Sequence, residues 1–387
     1  MKDQLLLSGK HVLISLKDQI KKDAPKKIFL VTGKESYYKS GANIFIDCLL
    51  DGFSFIRYNN FKENPQIDEA QIGIKIFNEN NCDYIISIGG GSVIDMAKLI
   101  TIGQANGCDL RELIFNKDKR ISKGEKFIAI PTTAGSGSEA THFAVLYIEN
   151  KKYSIAHSEF MLPDIVALVP SLSLSNSKKQ TALSGVDAFS QAIESYWSNN
   201  STIESRNYSI EAINIILNNL PNAVNENCEF SKEKLLLGSY LAGRAINIAK
   251  TTGAHALSYT FTSKYKIPHG QAVALTLIEW LEFNCNIKPS NIVDNRGFDY
   301  VNKTMTSLKM LLSGSENTSI TVNKLNIFFH TINISTSIAD FNINSDDFKF
   351  IVENVNLERL KNNPILVNET DLYTILNRSL TKKNILN

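Results

Sequence analysis

Short apolar runs alternate with helical patterns through the first half of the chain. KKIFLVTG (26–33) reads as a buried strand closed by a turn glycine, FSFIRYN (53–59) as a second strand, and EAQIGIKIFNENN (69–81) as an amphipathic helix. DYIISIGGGS (83–92) is a third strand running straight into a glycine loop. VIDMAKLITIGQ (93–104) continues as a helix, and KFIAIPTT (126–133) is a fourth strand. Strands and helices alternating at this spacing imply parallel βαβ units with helices on both faces. Ligands of such sheets bind beyond the carboxyl ends of the strands. From about residue 175 the pattern changes. The stretches 181–198, 204–220 and 231–250 carry apolar residues at helical period, and strand-like runs almost vanish after VALVP (166–170). A serine-rich stretch at 171–177 marks the boundary. The expected organisation is an α/β domain over 1–174 and an all-helical domain over 175–387.

Two glycine loops fall at strand ends. In IISIGGGSVIDMAK (85–98), Gly89, Gly90, Gly91 and Ser92 stand where a strand hands over to a helix, with Asp95 and Lys98 on that helix. Glycines let a backbone approach a diphosphate closely, and the helix's first turn offers free N–H donors and a positive dipole end. The spacing is not GxGxxG. The second loop, IAIPTTAGSGSEATHF (128–143), brings Thr132, Thr133, Ser136 and Ser138, whose hydroxyls can bond ribose or phosphate oxygens. Two neighbouring loops of this kind fit a dinucleotide.

The helical half contributes His255 and His269, in GAHALSYTFTSKYKIPHGQAV, and Asp187 upstream. Neutral imidazole is the commonest divalent-metal ligand, and a carboxylate supplies balancing charge. Three such ligands with an open position suit a catalytic site, whereas structural zinc is normally closed by four.

Composition narrows the partners. Forty-one basic residues against 39 acidic ones leave no electrostatic footprint for nucleic acid, so small molecules are expected. No signal-peptide pattern opens the chain and no long apolar run crosses a membrane. Cys48, Cys82, Cys108, Cys228 and Cys285 are scattered, odd in number and lack a CxxC pair, which fits reduced thiols in a cytoplasm.

GGGSVIDMAK, PTTAGSGSEAT, GVDAFSQAIES and HALSYTF–IPHG, in this order, resemble the iron-containing (group III) alcohol dehydrogenase family over roughly residues 27 to 290. That family is related in fold to glycerol dehydrogenase and dehydroquinate synthase. The resemblance implies a Rossmann-like parallel-sheet domain followed by a helical metal-binding domain, NAD(P)H as cofactor, and a homodimer. It implies that Asp187, Gln191, His255 and His269 hold a divalent metal, Fe2+ first, with Zn2+ or Mn2+ as alternatives.

Three positions depart from the family's pattern. Gln191 stands where an imidazole is usual; its amide oxygen can ligate, favouring harder ions, or can serve as a structural hydrogen-bonder. Tyr259 replaces a second histidine in an HAxxH pattern, leaving either a proton-relaying hydroxyl or a packing aromatic beside the catalytic set. In VTGKES, Gly33 replaces an aspartate that repels a 2′-phosphate, and Lys34 adds positive charge, so NADPH is expected, with NADH as the alternative.

The implied reaction is hydride transfer between an alcohol and an aldehyde. Arg244 and Lys250 precede His255, and His142 follows the second glycine loop; cations near a metal pocket suggest an anionic substrate, unless they lie on a solvated face. DAFSQAIESYWS with NIAKTTGAHALSYTFTSKYKIPHG is similar to phosphonoacetaldehyde reductases within the family, which implies reduction of phosphonoacetaldehyde to 2-hydroxyethylphosphonate. An acidic-sugar alcohol dehydrogenase, a generalist alcohol or 1,2-diol dehydrogenase, and a metal-free binding protein remain as rivals.

Overall fold

The computed structural model describes residues 4–107, 109–116, 121–149 and 151–382. Cys108 lies outside these residues; the other four cysteines are free thiols. The chain divides into two compact units, Met1–Asn176 and Ser177–Asn387.

The first unit runs β1 (Leu5–Leu7), α1 (Val12–Asp23), β2 (Ile28–Thr32), α2 (Ser36–Lys39), α3 (Ala42–Leu49), β3 (Phe55–Tyr58) and α4 (Ile67–Glu79). It continues through β4 (Tyr84–Gly89), α5 (Gly91–Asn106), α6 (Leu110–Phe115), β5 (Lys126–Pro131), β6 (Phe143–Ile148), β7 (Lys151–Ala156) and β8 (Ile165–Ala167). Six strands form one parallel sheet in the order β1-β8-β5-β4-β2-β3. Strand β2, next to the edge strand β3, is buried at every residue because helices cover both faces. Phe29 and Val31 enter a core with Ile74, Phe77 and Met96, while Ile28 and Leu30 enter another with Leu16, Ile20 and Ile46. The four strands expected from the sequence are present. It gave no sign of β1, a three-residue run, or of the antiparallel pair β6–β7, whose burial alternates along β6 but whose second strand is largely exposed.

Register places the two glycine loops side by side. Gly89 is paired with Pro131, and the Thr132 N–H donates to the Gly89 carbonyl at 3.0 Å. A Cβ on Gly91 would stand 2.6 Å from Ser136 Oγ, so only glycine lets the start of α5 approach the second loop this closely.

A polar network fixes that approach from within. Lys98 is fully buried, and its Nζ donates to Phe143 O at 2.8 Å, Thr141 Oγ1 at 3.0 Å and Ser138 Oγ at 3.3 Å. Asp95 accepts from Ser138 Oγ and from the Val145 N–H. Burial pulls the Lys98 pKa down to about 8 against the pull of Asp95 and Glu139. It also pushes the buried Glu139 up to about 7. Asp95 and Lys98, expected from the sequence beside a cofactor, tie α5 to the second loop and β6.

The second unit comprises α7 (Lys178–Trp197), α8 (Ile203–Asn225), α9 (Glu229–Ala249), α10 (Gly253–Tyr265) and α11 (His269–Cys285). It ends with α12 (Phe298–Ser313), α13 (Thr318–Thr331), α14 (Phe348–Glu353), α15 (Leu357–Leu360) and α16 (Glu369–Thr381). Among its described residues the only β pairing is one bridge, Ile292 to Ile365. α7 packs against α8, α9 and α11, and every residue from Thr181 to Trp197 except Ser184 is buried. A helix covered on all sides normally carries apolar residues throughout; Asp187, Gln191 and Glu194 break that rule. Among the described residues no helix is long and apolar enough to cross a membrane.

Replacing Lys98 with methionine should cost about 3–5 kcal/mol, the range for removing one partner of a buried charged network. The measurement is a chemical-denaturation midpoint. An unchanged midpoint would mean that the network does not hold the two loops together.

Candidate metal centre

On α7, Asp187, Gln191 and Glu194 follow the spacing i, i+4, i+7, which is one stripe of a helix. Two close helix crossings bring the histidines to that stripe. A Cβ on Gly270 would stand 2.0 Å from the Leu183 carbonyl oxygen, so the first turn of α11, which begins at His269, lies directly on the α7 backbone. A Cβ on Gly253 would strike the Trp280 ring at 2.4 Å, so the start of α10, which carries His255, lies against α11.

The resulting trio is Asp187, His255 and His269, with one ligand atom from each within 4.8 Å of the others. Nε2 of His255 is 3.4 Å and Nε2 of His269 is 3.7 Å from Asp187 Oδ1. Two ligands bound about 2.1 Å from one tetrahedral ion stand about 3.4 Å apart, so the spacing fits a single cation. The donor chemistry fits as well, since one carboxylate and two imidazoles are borderline ligands suited to first-row divalent metals. Asp187 and His255 are buried while His269 is part-exposed, and the two rings meet edge to face with centroids 5.5 Å apart.

Glu194 determines how His255 presents itself. Fully buried, it engages Nδ1 of His255 with Oε2. Its Oε1 accepts from the Ala254 N–H and the Thr252 hydroxyl at 2.9 Å, the Thr252 N–H at 3.2 Å and the His255 N–H at 3.3 Å. One carboxylate therefore caps α10 and fixes the imidazole tautomer, turning the Nε2 lone pair toward Asp187. Burial opposes a charged imidazole here, but the Glu194 and Asp187 carboxylates outweigh it and hold the His255 pKa at about 9. A divalent cation offers those carboxylates the positive charge that a proton otherwise supplies. The sequence reading passed over Glu194, although its spacing from Asp187 and Gln191 was the available signal.

Gln191 is buried one turn beyond Asp187. Tyr259 is half-buried one turn beyond His255 on α10. The Arg244 guanidinium donates to the Tyr240 and Tyr208 hydroxyls at 3.1 Å each and lies 3.9 Å from Glu204. It is thus engaged with α8 and its own helix. Lys250 caps the C-terminus of α9, half-buried, five residues before His255. His142 belongs to the first unit, where its carbonyl accepts from the His157 N–H at 3.0 Å.

In the first unit, Gly90, Gly91, Ser92, Thr133 and Ser136 are partly exposed at the carboxyl edge of the sheet, and Thr132 is buried. Gly33 and the exposed Lys34 follow β2. Beside them stands a residue the sequence reading missed. Arg57 of β3 donates from Nη2 to the Gly33 carbonyl at 3.0 Å and from Nε to Thr32 Oγ1 at 2.8 Å. Its guanidinium stacks 3.9 Å above the Tyr37 ring.

Changing Glu194 to glutamine keeps an acceptor for the α10 cap but removes the charge on His255. Affinity for Fe2+ or Zn2+ should fall about 10–100-fold, measured by equilibrium dialysis with elemental analysis. Unaltered affinity would reduce Glu194 to a helix cap.

Residues 4–170 match the family described as iron-containing alcohol dehydrogenase, and residues 181–380 match the C-terminal part of the same family. Long-chain-alcohol dehydrogenase 1 of Geobacillus thermodenitrificans (strain NG80-2) is 27% identical over 333 residues, covering 84% of this chain and 82% of the relative. The 1,3-propanediol dehydrogenase of Klebsiella pneumoniae is 28% identical over 337 residues, covering 85% and 84%. Among solved structures, sulfoacetaldehyde reductase from Bifidobacterium kashiwanohense in complex with NAD+ gives a TM-score of 0.86 at 26% identity, over 99% of this chain and 100% of that one. With both halves matched in order, the chain belongs to the iron-containing alcohol dehydrogenase family of NAD(P)-dependent, metal-containing oxidoreductases acting on alcohols and aldehydes.

Proposed function

We propose that this enzyme reduces a small anionic aldehyde to its primary alcohol, with phosphonoacetaldehyde as substrate and 2-hydroxyethylphosphonate as product. The observation that carries this reading is the similarity of the chain, over 99% of its length, to a sulfoacetaldehyde reductase, a protein named for a small anionic aldehyde. Lys250, half-buried five residues ahead of His255, supports it as a cation in the metal-binding unit that can meet an anionic group.

Asp187, His255 and His269 hold the metal, with Gln191 as a fourth, amide-oxygen ligand one helical turn from Asp187. A divalent cation bound there supplies Lewis acidity to the carbonyl oxygen, and the nicotinamide supplies the hydride. Glu194 keeps His255 in the ligating tautomer throughout. Reduction of the aldehyde also consumes a proton. The position of Tyr259 one turn beyond His255 supports its assignment as the hydroxyl that passes this proton inward from solvent.

In the first unit, Gly89, Gly90, Gly91, Ser92, Thr132, Thr133 and Ser136 bind the dinucleotide diphosphate and ribose. Gly33, Lys34 and Arg57 favour NADPH. A guanidinium beside the strand end, with glycine in place of an acidic residue, removes repulsion from a 2′-phosphate and offers it a partner. The similarity to a 1,3-propanediol dehydrogenase supports the second reading, a generalist acting on uncharged alcohols, in which Lys250 has only a structural role.

Oxidation of NADPH at 340 nm with added ferrous ion, comparing phosphonoacetaldehyde with propanal, separates the two. A kcat/KM ratio of about 100 or more in favour of the phosphonate is expected, the scale of one well-formed charge-assisted contact or more. Equal rates would establish the generalist. In the same assay, Arg57→Leu should lower the NADPH:NADH preference about tenfold; an unchanged preference would assign Arg57 to packing against Tyr37 alone.

A further inference from the structure

The turn after β2 is shaped by a side chain that is not there. A Cβ on Gly33 would stand 2.1 Å from Ser36 Oγ but 3.5 Å from Ser36 Cβ. The φ of Gly33 is not positive, so what glycine supplies here is room and not a left-handed backbone. That room is filled by the Ser36 hydroxyl. Ser36 is exposed, and its hydroxyl has no hydrogen-bond partner among the described residues. A side chain at position 33 would therefore force this hydroxyl, and only the hydroxyl, to turn away.

Arg57 reaches the same residue from β3. Its Nε donates to Thr32 Oγ1 at 2.8 Å, Nη2 to the Gly33 carbonyl at 3.0 Å and Nη1 to the Tyr38 hydroxyl at 3.1 Å. A guanidinium carries five N–H donors, so one on each Nη is left over. The stack on the buried Tyr37 ring and these three bonds hold that remaining pair in a fixed plane. Every acceptor is neutral, and among the described residues no carboxylate pairs with Arg57. Glu35, the one acid between positions 33 and 39, is ion-paired with Lys39 at 2.6 Å. Gly33 is thus flanked by an open hydroxyl on one part of its surface and by a guanidinium with two free donors on another.

We infer that Ser36 is a cofactor-specificity residue, whose hydroxyl donates to the 2′-phosphate of NADPH beside the two free Nη hydrogens of Arg57, and that Gly33 is required because any side chain there displaces this hydroxyl. The inference deepens the NADPH reading above and rests on it. In that reading Gly33 acts by lacking a negative charge; here it acts by lacking a Cβ. The division of labour follows from donor geometry. The planar fork of Arg57 suits two oxygens of a phosphate monoester, and a hydroxyl that rotates freely suits the third. Lys34, exposed and without a partner among the described residues, adds long-range attraction and no fixed direction.

The test compares adenosine 2′,5′-bisphosphate with adenosine 5′-monophosphate, by calorimetric binding to the wild type, Ser36→Ala, Gly33→Ala and the double variant. Ser36 is exposed, so its alanine variant should melt with the wild type. Ser36→Ala should weaken the bisphosphate about tenfold, the scale of one hydrogen bond to a charged group, and leave the monophosphate unchanged. Gly33→Ala adds no charge, yet it should cost the bisphosphate as much. The double variant should lose no more than either single one, because the alanine Cβ atoms meet at an ordinary contact distance and no hydroxyl remains to displace. A Ser36→Ala enzyme that keeps the wild-type discrimination would overturn the role of Ser36 and leave the NADPH reading to Arg57 and Lys34. Full discrimination in Gly33→Ala, or additive losses in the double variant, would overturn the steric role of Gly33. A wild type that binds both nucleotides equally would overturn the NADPH reading and this inference with it.

Discussion

The helical unit depends on a carboxylate buried where an apolar side chain would be expected. Glu194 is fully inside α7, and an isolated charge there would be strongly destabilising. It is tolerated because the start of α10 gives it three backbone N–H donors and a hydroxyl, and because His255 gives it an imidazole N–H. The positive end of the α10 dipole acts in the same direction. The contact is reciprocal: the helix needs the carboxylate to cap it, and the carboxylate needs the helix to be buried. His255 is thereby oriented by the same interaction that docks its helix, so ligand geometry and packing cannot vary independently.

The first unit solves a related problem with the opposite charge. There a buried ammonium, Lys98, replaces a hydrophobic contact between α5 and the loop that follows β5. Hydrogen bonds have fixed directions and lengths, whereas apolar packing can slide by fractions of an ångström without great loss. Two loops held side by side need the former kind of constraint. Gly91 and Ser136 touch at a separation that excludes even one methyl group, which leaves little room for such sliding.

Much of this was readable because it is local. Buried strands, strand-end glycines and the motif order lie in short windows, and so do Asp187, His255 and His269. Glu194 was readable in principle from its place on the Asp187–Gln191 stripe, but an acid on a helix is ordinarily solvated, and only full burial of α7 gives it meaning. Arg57 was not readable, since it matters through a residue distant in sequence, Gly33. The same holds for the partners of Arg244, which packing draws from α8 in Tyr208 and Glu204. It holds too for Lys98, a motif lysine whose ammonium reaches Ser138, Thr141 and Phe143 some forty residues away.

Backbone strain beside the metal trio is held in the same way. Lys250 occupies a conformation suited to glycine, at the junction of α9 and α10. Strain of this kind persists only when the surrounding structure enforces it. Here the enforcement comes from hydrogen bonds that end on the two residues after Lys250 and on the helix of His255. The link into α10 and the orientation of His255 therefore belong to one rigid element, and the ligand atom of that histidine cannot shift without the segment that precedes it.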